Sequence, residues 1–388
     1  MSPVLDADTD AGNPIADCLN TPDDPKCLDE ATALFVSITG DDAAADGTRS
    51  KPFGTLAAAL SQVTPTKRRI YVCDGTYPED VRLTASHAGV SLLGGFTCDW
   101  SVSTDKPRFG VSPLALEVDG AAGVAIANIV FQAADATEPG ASSIAAFVNA
   151  SEVTFKGVSL LAGNGMNGAD GVLVPFTFPS QEALAGNHGD PPGNGAEKVV
   201  TCPDGSQTKG GRGGPNGLPG EDGTPGPPNK STSVCSGPGS VDTNGISGSS
   251  PAHAAGARTY GSLTVNGWEP ASGDDGANGG PGQGGGGGYG LGGENARGGG
   301  GGAGGCGGKG GGGGKGGGAS IALATLHSAV TLEASTLTAK DAGHGGNGAA
   351  GQPGQSPGGT RGLASSVGTS CNGGNGGPGG NGAPGGGG

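Results

Sequence analysis

Apolar and polar positions alternate under one recurring punctuation, apolar-x-apolar-x-bend, at five places in the chain. Ile70 and Val72 lead to Asp74-Gly75, and Val90 and Leu92 lead to Gly94-Gly95. Val124 and Ile126 precede Asn128, followed by Ile129 and Phe131. Val153 and Phe155 precede Gly157, followed by Val158 and Leu160, and Val330 and Leu332 precede Ala334, followed by Leu337. Asn or Gly at the bend suits a residue of positive φ that turns the strand and resets which side chains face inward. The pattern predicts a coil of short parallel strands, not a hairpin array. Ile126, Val153, Phe155 and Leu332 are expected inside one continuous stack.

The starts of these units are 20, 34, 29 and 177 residues apart, which reads as one rung of a solenoid per step with growing loops. The two units bracketing the longest gap are alike. Ser143-Ile144-Ala145 with Ser151, Val153, Thr154 and Leu160 matches Ser320-Ile321-Ala322 with Ser328, Val330, Thr331 and Leu337 at a constant offset of 177. An insertion between adjacent rungs is therefore predicted, with Leu263-Thr264-Val265-Asn266-Gly267 as a further strand inside it.

Glycine changes this picture. Residues 1–162 hold 13 of the 88 glycines, and the 226 residues from Gly163 onward hold the other 75. A share of one third invites a test for a three-residue period. Glycines recur every third residue at 165–171, 211–226, 273–282, 345–354 and 373–385, and each run then breaks. Runs this short exclude a collagen triple helix and suit antiparallel polyglycine-II rods, whose lateral N–H and C=O groups must pair with neighbouring rods for burial to be possible. Gly279 and Gly282 are expected to face such neighbours. Pro281-Gly282-Gln283 and Gly293-Glu294-Asn295 are expected to be polar turns.

Gly40-Asp41-Asp42, Asp46-Gly47-Thr48 and Pro52-Phe53-Gly54-Thr55-Leu56, continuing through Ile70-Tyr71-Val72, Gly75-Thr76-Tyr77 and Gly94-Gly95-Phe96, resemble the opening of extracellular right-handed parallel β-helix proteins of the pectin-lyase-like superfamily. The resemblance implies that Thr55 to Val63 forms a short helix closing the end of the solenoid, where an uncovered first rung would expose a strand edge and an apolar core. The glycine-rich half is similar in composition to the polyglycine-II bundles of a springtail antifreeze protein and of certain phage tail-tip adhesins. The fold class expected is all-β: a right-handed parallel β-helix with an N-terminal capping helix, plus a glycine-rich polyglycine-II-like bundle. Its parts are an acidic tail or linker at 1–33, the β-helix at 34–162, the glycine-rich insertion at 163–318, a β-helix rung at 319–342 and a glycine-rich C-terminal segment at 343–388.

Net charge is −15, so a phosphate backbone would be repelled and nucleic acid is a poor partner. Asp6, Asp8, Asp10, Asp17, Asp23 and Asp24 point to a solvated N-terminal tail. Eight cysteines, an even number without a C-x-x-C pair, argue for disulfides over a zinc site and for an oxidising compartment. Of the possible connectivities, the sequential one is the simplest: Cys18–Cys27, Cys73–Cys98, Cys202–Cys235 and Cys306–Cys371. No long apolar segment lies near Met1 and none could span a membrane. Export then implies an export or lipoprotein signal already removed, with Met1 an added or mis-assigned start. The glycine run at Gly385–Gly388 suggests that the natural protein continues.

The search for chemistry yields no catalytic, cofactor or metal residues. Pectin-lyase-like enzymes act through carboxylates and a basic residue on one solenoid face, whereas Glu117, Asp119, Glu152, Lys156 and Glu333 are scattered singly. Asp41, Asp42 and Asp46 form a dense acidic group whose expected role is turn formation. Asp6 to Asp17 resembles an EF-hand loop with glycine misplaced and no closing Glu. His87, His188, His253, His327 and His344 are dispersed, and Arg297, Lys309 and Lys315 are read as the solvated rim of a glycine bundle. The function expected is that of a non-enzymatic secreted or cell-surface structural or adhesin-like envelope protein, with cell-surface glycans or envelope proteins as partners and no cofactor. A polysaccharide-active enzyme and an ice-binding protein are the alternatives.

Overall fold

The computed structural model describes residues 18–190, 193, 195–232, 235, 243–366 and 370–388. Asp6, Asp8, Asp10 and Asp17, with the EF-hand-like loop they form in sequence, lie outside the described residues. The chain divides into two compact units. The first comprises residues 1–168, 261–270 and 317–344; the second comprises 169–260, 271–316 and 345–388.

The first unit is a parallel β-helix with three sheets. One holds β1 (Ala33–Val36), β2 (Arg69–Cys73), β5 (Ser91–Phe96), β8 (Val124–Ala127), β11 (Glu152–Lys156) and β18 (Ala329–Glu333) in that order. A second holds β3 (Thr76–Tyr77), β6 (Arg108–Phe109), β9 (Val130–Gln132), β12 (Ser159–Leu161) and β19 (Thr336–Thr338), and the third holds β4 (Val81–Thr84), β7 (Leu114–Asp119), β10 (Ser143–Asn149) and β17 (Ser320–Leu326). All of these neighbours pair in parallel, and β10 meets β17 across the 177-residue offset, Ser143 opposite Ser320.

The register stacks like on like. Leu34, Ile70, Leu92, Ile126, Phe155 and Leu332 form one inward column, and Tyr77, Phe109, Phe131, Leu160 and Leu337 form another. The aromatic members stack ring on ring, 4.9 Å apart for Tyr77 and Phe109 and 6.0 Å for Phe109 and Phe131. The bends take the conformation their sequence suggests, with φ of 53° at Asn128, 61° at Gly157 and 47° at Ala334. Gly157 is required for a second reason: a β-carbon there would meet the Asn128 side chain at 2.6 Å.

Leu332 departs from expectation. Its register opposite Phe155 holds, but it is 44% exposed because β18 is the edge strand of its sheet among the described residues. Leu337 is exposed for the same reason.

Helix α1 (Leu56–Ser61) buries Leu56, Ala59 and Leu60 in the core, with Thr55 Oγ1 accepting from Ala58 N–H at its start. The described part of the segment assigned to an N-terminal tail is packed instead. Cys18 and Cys27 sit in an apolar cluster with Phe35, Tyr71 and Phe96, and Tyr71 donates to the Pro22 carbonyl. The 261–270 stretch is also separate from the insertion around it. It forms an antiparallel hairpin, β15 (Gly261–Thr264) with β16 (Gly267–Pro270), whose Leu263 and Trp268 pack on Ile144 and Phe147 of the first unit.

In the second unit, beside an antiparallel hairpin of β13 (Lys198–Thr201) and β14 (Gln207–Gly210), the lateral partners are backbone groups, repeated every third residue. Along residues 298–315, Gly299, Gly302, Gly305, Gly308, Gly311 and Gly314 donate to Cys371, Gly374, Gly377, Gly380, Ala383 and Gly386. Gly300, Ala303, Gly312 and Lys315 donate to Asn187, Leu184, Val172 and Ala169, and Gly298 and Gly301 donate to Gly214 and Gly211. Where a neighbouring segment is interrupted, a side chain replaces its carbonyl: Gln355 Oε1 accepts from Cys306 N–H, Gln352 Oε1 from Lys309, Asn278 Oδ1 from Gly310 and Asp275 Oδ1 from Gly313. Where all three faces are used by backbone the positions are almost all glycine, and the large side chains of this run, Lys309 and Lys315, sit where it is half-buried or exposed.

Two expectations fail here. Gln283 is not a turn residue but is buried inside a segment, donating to the Gly223 carbonyl at 3.1 Å and accepting from Ile246 N–H. The expected bonds Cys202–Cys235 and Cys306–Cys371 are replaced by Cys202–Cys306 and Cys235–Cys371, spanning 104 and 136 residues. In a laterally packed array the nearest segment in space lies far away in sequence, so proximity along the chain misleads. Cys18–Cys27 and Cys73–Cys98 are bonded across 9 and 25 residues.

Candidate functional site

Parallel register also lines up the side chains that point outward. On the sheet containing β3, β6, β9 and β12, Thr76, Arg108, Val130 and Ser159 occupy one column across four rungs. The connection from β5 to β6 supplies Thr104, Asp105 and Lys106, and the bend after β2 supplies Asp74. Together with Ile38 and Gly75 these residues line an open groove of about 680 Å³.

Its polar groups are partly committed. Lys106 Nζ donates to the Gly157 carbonyl at 2.6 Å, and the Arg108 guanidinium donates to Gln132 Oε1 one rung on. Asp105 N–H is held by Ser103 Oγ at 3.0 Å. Two carboxylates, an ammonium, a guanidinium and three hydroxyls then line a groove crossing several rungs. Such a set can hydrogen-bond a hydroxyl-rich chain and pair with carboxylates on it.

Among the described residues, the one cluster with metal-ligand potential is Cys73, Asp74 and Cys98. The disulfide between its two cysteines removes both thiolates, and a single carboxylate does not make a metal site.

The acidic group at the start of the solenoid is spent on turns. Asp41 Oδ1 accepts from Ala43 N–H, and Asp42 accepts from Gly54 N–H, Thr55 N–H and the Thr55 hydroxyl. Asp46 takes the Thr48 hydroxyl and N–H, which hold its carboxyl below the usual carboxylate range. Glu79, not singled out from sequence, caps α1 by accepting from Leu56 and Ala57.

The scattered charges remain apart. Glu117 pairs with Arg82 at 3.3 Å, Asp119 accepts from Asn149 Nδ2, Lys156 reaches Asn20 Oδ1, and Glu152 and Glu333 are exposed. Lys309 lies over the Phe176 ring, Lys315 is exposed, and Arg297 donates to the Ala296 carbonyl. His87 accepts from Thr84 N–H and His188 from Leu363 N–H, while His327 occupies a bend with φ of 52°. His253 and His344 are exposed. Asp74, Asp105, Lys106 and Arg108 escape a sequence search because three of them sit in a bend or loop without periodicity. The run Thr104-Asp105-Lys106-Pro107-Arg108 is the one local signal.

A family model described as "Protein of unknown function (DUF1565)" matches residues 38–86. Among solved structures, the chain is similar to a rhamnogalacturonan lyase at 15% identity and a TM-score of 0.28, over 36% of this chain and 39% of that one. It is also similar to a pectin methylesterase from carrot at 17% identity and a TM-score of 0.26, over 36% of this chain and 42% of that one. The matched part thus spans about two fifths of either neighbour's own length. No curated protein matches the chain.

Proposed function

We propose that this chain is a non-enzymatic structural or adhesin-like protein of the cell surface or extracellular medium, in which the β-helix presents the groove and the second unit is a polyglycine-II bundle. The observation that carries the reading is how the second unit is built. Its buried lateral contacts are backbone on backbone in a three-residue period, and two disulfides tie together segments more than a hundred residues apart. That construction favours a stiff, chemically crosslinked body over a site that must open and close. Four disulfides support an oxidising compartment, and no helix among the described residues is long and apolar enough to cross a membrane. The role of α1 in this reading is to close the first rung.

The groove favours a second reading, a polysaccharide-active protein, because Asp74, Asp105, Lys106 and Arg108 meet on one solenoid face. Incubation with polygalacturonate, rhamnogalacturonan and methyl-esterified pectin separates the two. We expect sedimentation with insoluble cell-wall glycan and no unsaturated ends, reducing ends or methanol. Turnover lost in both Asp105→Asn and Arg108→Ala would replace the structural reading with the enzymatic one.

A further inference from the structure

Asn-Gly steps are chemically fragile. The glycine amide nitrogen can attack the asparagine Cγ, forming an N–Cγ bond and expelling ammonia while its own proton passes to a base. Water then opens the resulting succinimide to aspartate or isoaspartate. The reaction needs an amide N–H that base can reach and a side chain free to swing over it. An extracellular chain rich in Asn-Gly should therefore degrade unless its fold denies both.

In seven of these steps the fold does so with one repeated device. Asn164 Oδ1 accepts from Asp341 N–H while Gly165 N–H donates to the Asp341 carbonyl, so a single residue clamps both reacting groups. His344 clamps Asn167 and Gly168 in the same way, and Asn375 clamps Asn244 and Gly245. The other four are clamped by residues two apart on the neighbouring segment. Asn278 takes Gly310 N–H and Gly279 donates to Gly308, while Asn372 takes Ala364 N–H and Gly373 donates to Gly362. Asn375 takes Arg361 N–H with Gly376 on Gly359, and Asn381 takes Gly354 N–H with Gly382 on Gln352. Of the other steps, Gly217 N–H donates to Gly290, Asn347 donates to Asp170 through both Nδ2 and N–H, and Asn194 lies outside the described residues.

Asn266-Gly267 is different. Asn266 is exposed at the tip of the 261–270 hairpin, beside Val265 at 64% exposure. Gly267 is buried and paired with Thr264 in a sheet of only two strands, so base reaches its N–H when that end of the hairpin opens. A two-stranded ribbon opens locally far more easily than a segment bonded on several sides. We propose that, among the Asn-Gly steps of the described residues, Asn266 is the modification site, the position at which spontaneous deamidation and isoaspartate formation begin, and that the seven clamps protect the segments they hold.

The test uses the full disulfide-bonded chain, aged at mildly alkaline pH and sampled by peptide mapping with mass spectrometry and isoaspartate detection. A reduced, urea-unfolded sample serves as control. Asn266 should convert first among the described steps, and the seven clamped asparagines should convert at least about tenfold more slowly than in the unfolded chain. In the unfolded control, the Asn-Gly steps should lose their differences. Clamped asparagines that convert as fast as in the control, or ahead of Asn266, would overturn the proposal.

Discussion

The two units solve the same problem, burying a long chain in parallel layers, with opposite fillings. In the β-helix the layers are joined by strand ladders and the space between them is filled by side chains, so Phe109, Phe131 and Phe155 are completely buried and glycine is confined largely to corners. In the second unit the filling is the backbone of the next segment, and the one hydrophobic cluster there among the described residues is Leu184, Val200 and Ala303. A large residue is needed at an interior position of the first and excluded wherever a neighbouring backbone passes in the second, Gln283 being buried where its amide takes the place of that backbone. Glycine frequency therefore counts neighbours. Along 273–288, Gly273, Gly276, Gly279 and Gly282 donate to one neighbour, and Asp274, Gly280 and Gln283 to a second. The third face carries Asp275, Asn278 and Pro281 until the 218–224 segment arrives. From Gly284 that face donates to Thr224 and Glu221, and the sequence becomes unbroken glycine through Gly288.

The sharpest way to break this contrast is a β-carbon in the second unit. At Gly282 it would overlap the Gly377 and Pro378 carbonyls, forcing the segments apart and separating Gly282 from Gly305, Gly377 from Gln283 and Gly380 from Gly280. At about 1 to 3 kcal/mol for each buried group left unpaired, Gly282→Val should cost roughly 5 kcal/mol or more. Hydrogen exchange should show the second unit losing protection while β2 to β11 keep theirs. Protection unchanged in residues 273–314 would end the neighbour-counting argument.

The converse substitution belongs in the β-helix. Phe155→Ala should cost about 3 to 5 kcal/mol, as for a fully buried aromatic. Leu332→Ala, one rung on in the same column but 44% exposed, should cost about 1 kcal/mol. Equal losses from the two in urea unfolding followed by β-helix signals would mean that Leu332 is covered in solution.

Gln283 refines the comparison from within the second unit. Its amide replaces backbone partners for Gly223, Pro227 and Ile246. Gln283→Ala should cost about 1 to 3 kcal/mol, and Gln283→Glu should cost no less, because a carboxylate cannot donate to the two carbonyls.

What could be read in advance follows the same division. The strands at Ile70, Val90, Val124 and Val153 were legible because alternation and a bend of positive φ are local properties, and the rung at Val330 was legible because it repeats Val153. By contrast, β4, β6 and β7 carry no such bend and were not read. The exposure of Leu332 was not, since it depends on what stacks next. The pairing of Cys202 with Cys306 and the burial of Gln283 depend on which distant segment lies alongside, which a three-residue period does not encode. Asn-Gly, ordinarily a turn signal, here marks clamped positions in laterally bonded segments. The groove stayed hidden because Asp105 and Lys106 reach Arg108 through a loop that no periodicity announces.

The smallest expected effect lies in the β-helix, at His87, whose burial lowers its pKa from the ordinary value of 6.5. His87 follows β4, where its Nδ1 accepts from Thr84 N–H at 2.9 Å, and it lines a cavity with Glu79, Asp80 and Arg82. Protonation would remove that acceptor and place a charge in a half-buried site. A depressed folded pKa means that the unfolded chain takes up the proton first as pH falls. The contribution of His87 is therefore complete above the unfolded value and declines as pH drops through 6.5 toward the folded one. His87→Asn keeps a side-chain acceptor for Thr84 without a titrating group. Thermal midpoints of the two proteins, followed from neutral to mildly acidic pH, should show the native chain losing slightly more stability than the variant. Parallel curves would show that His87 stays solvated and that burial there does not reach the imidazole.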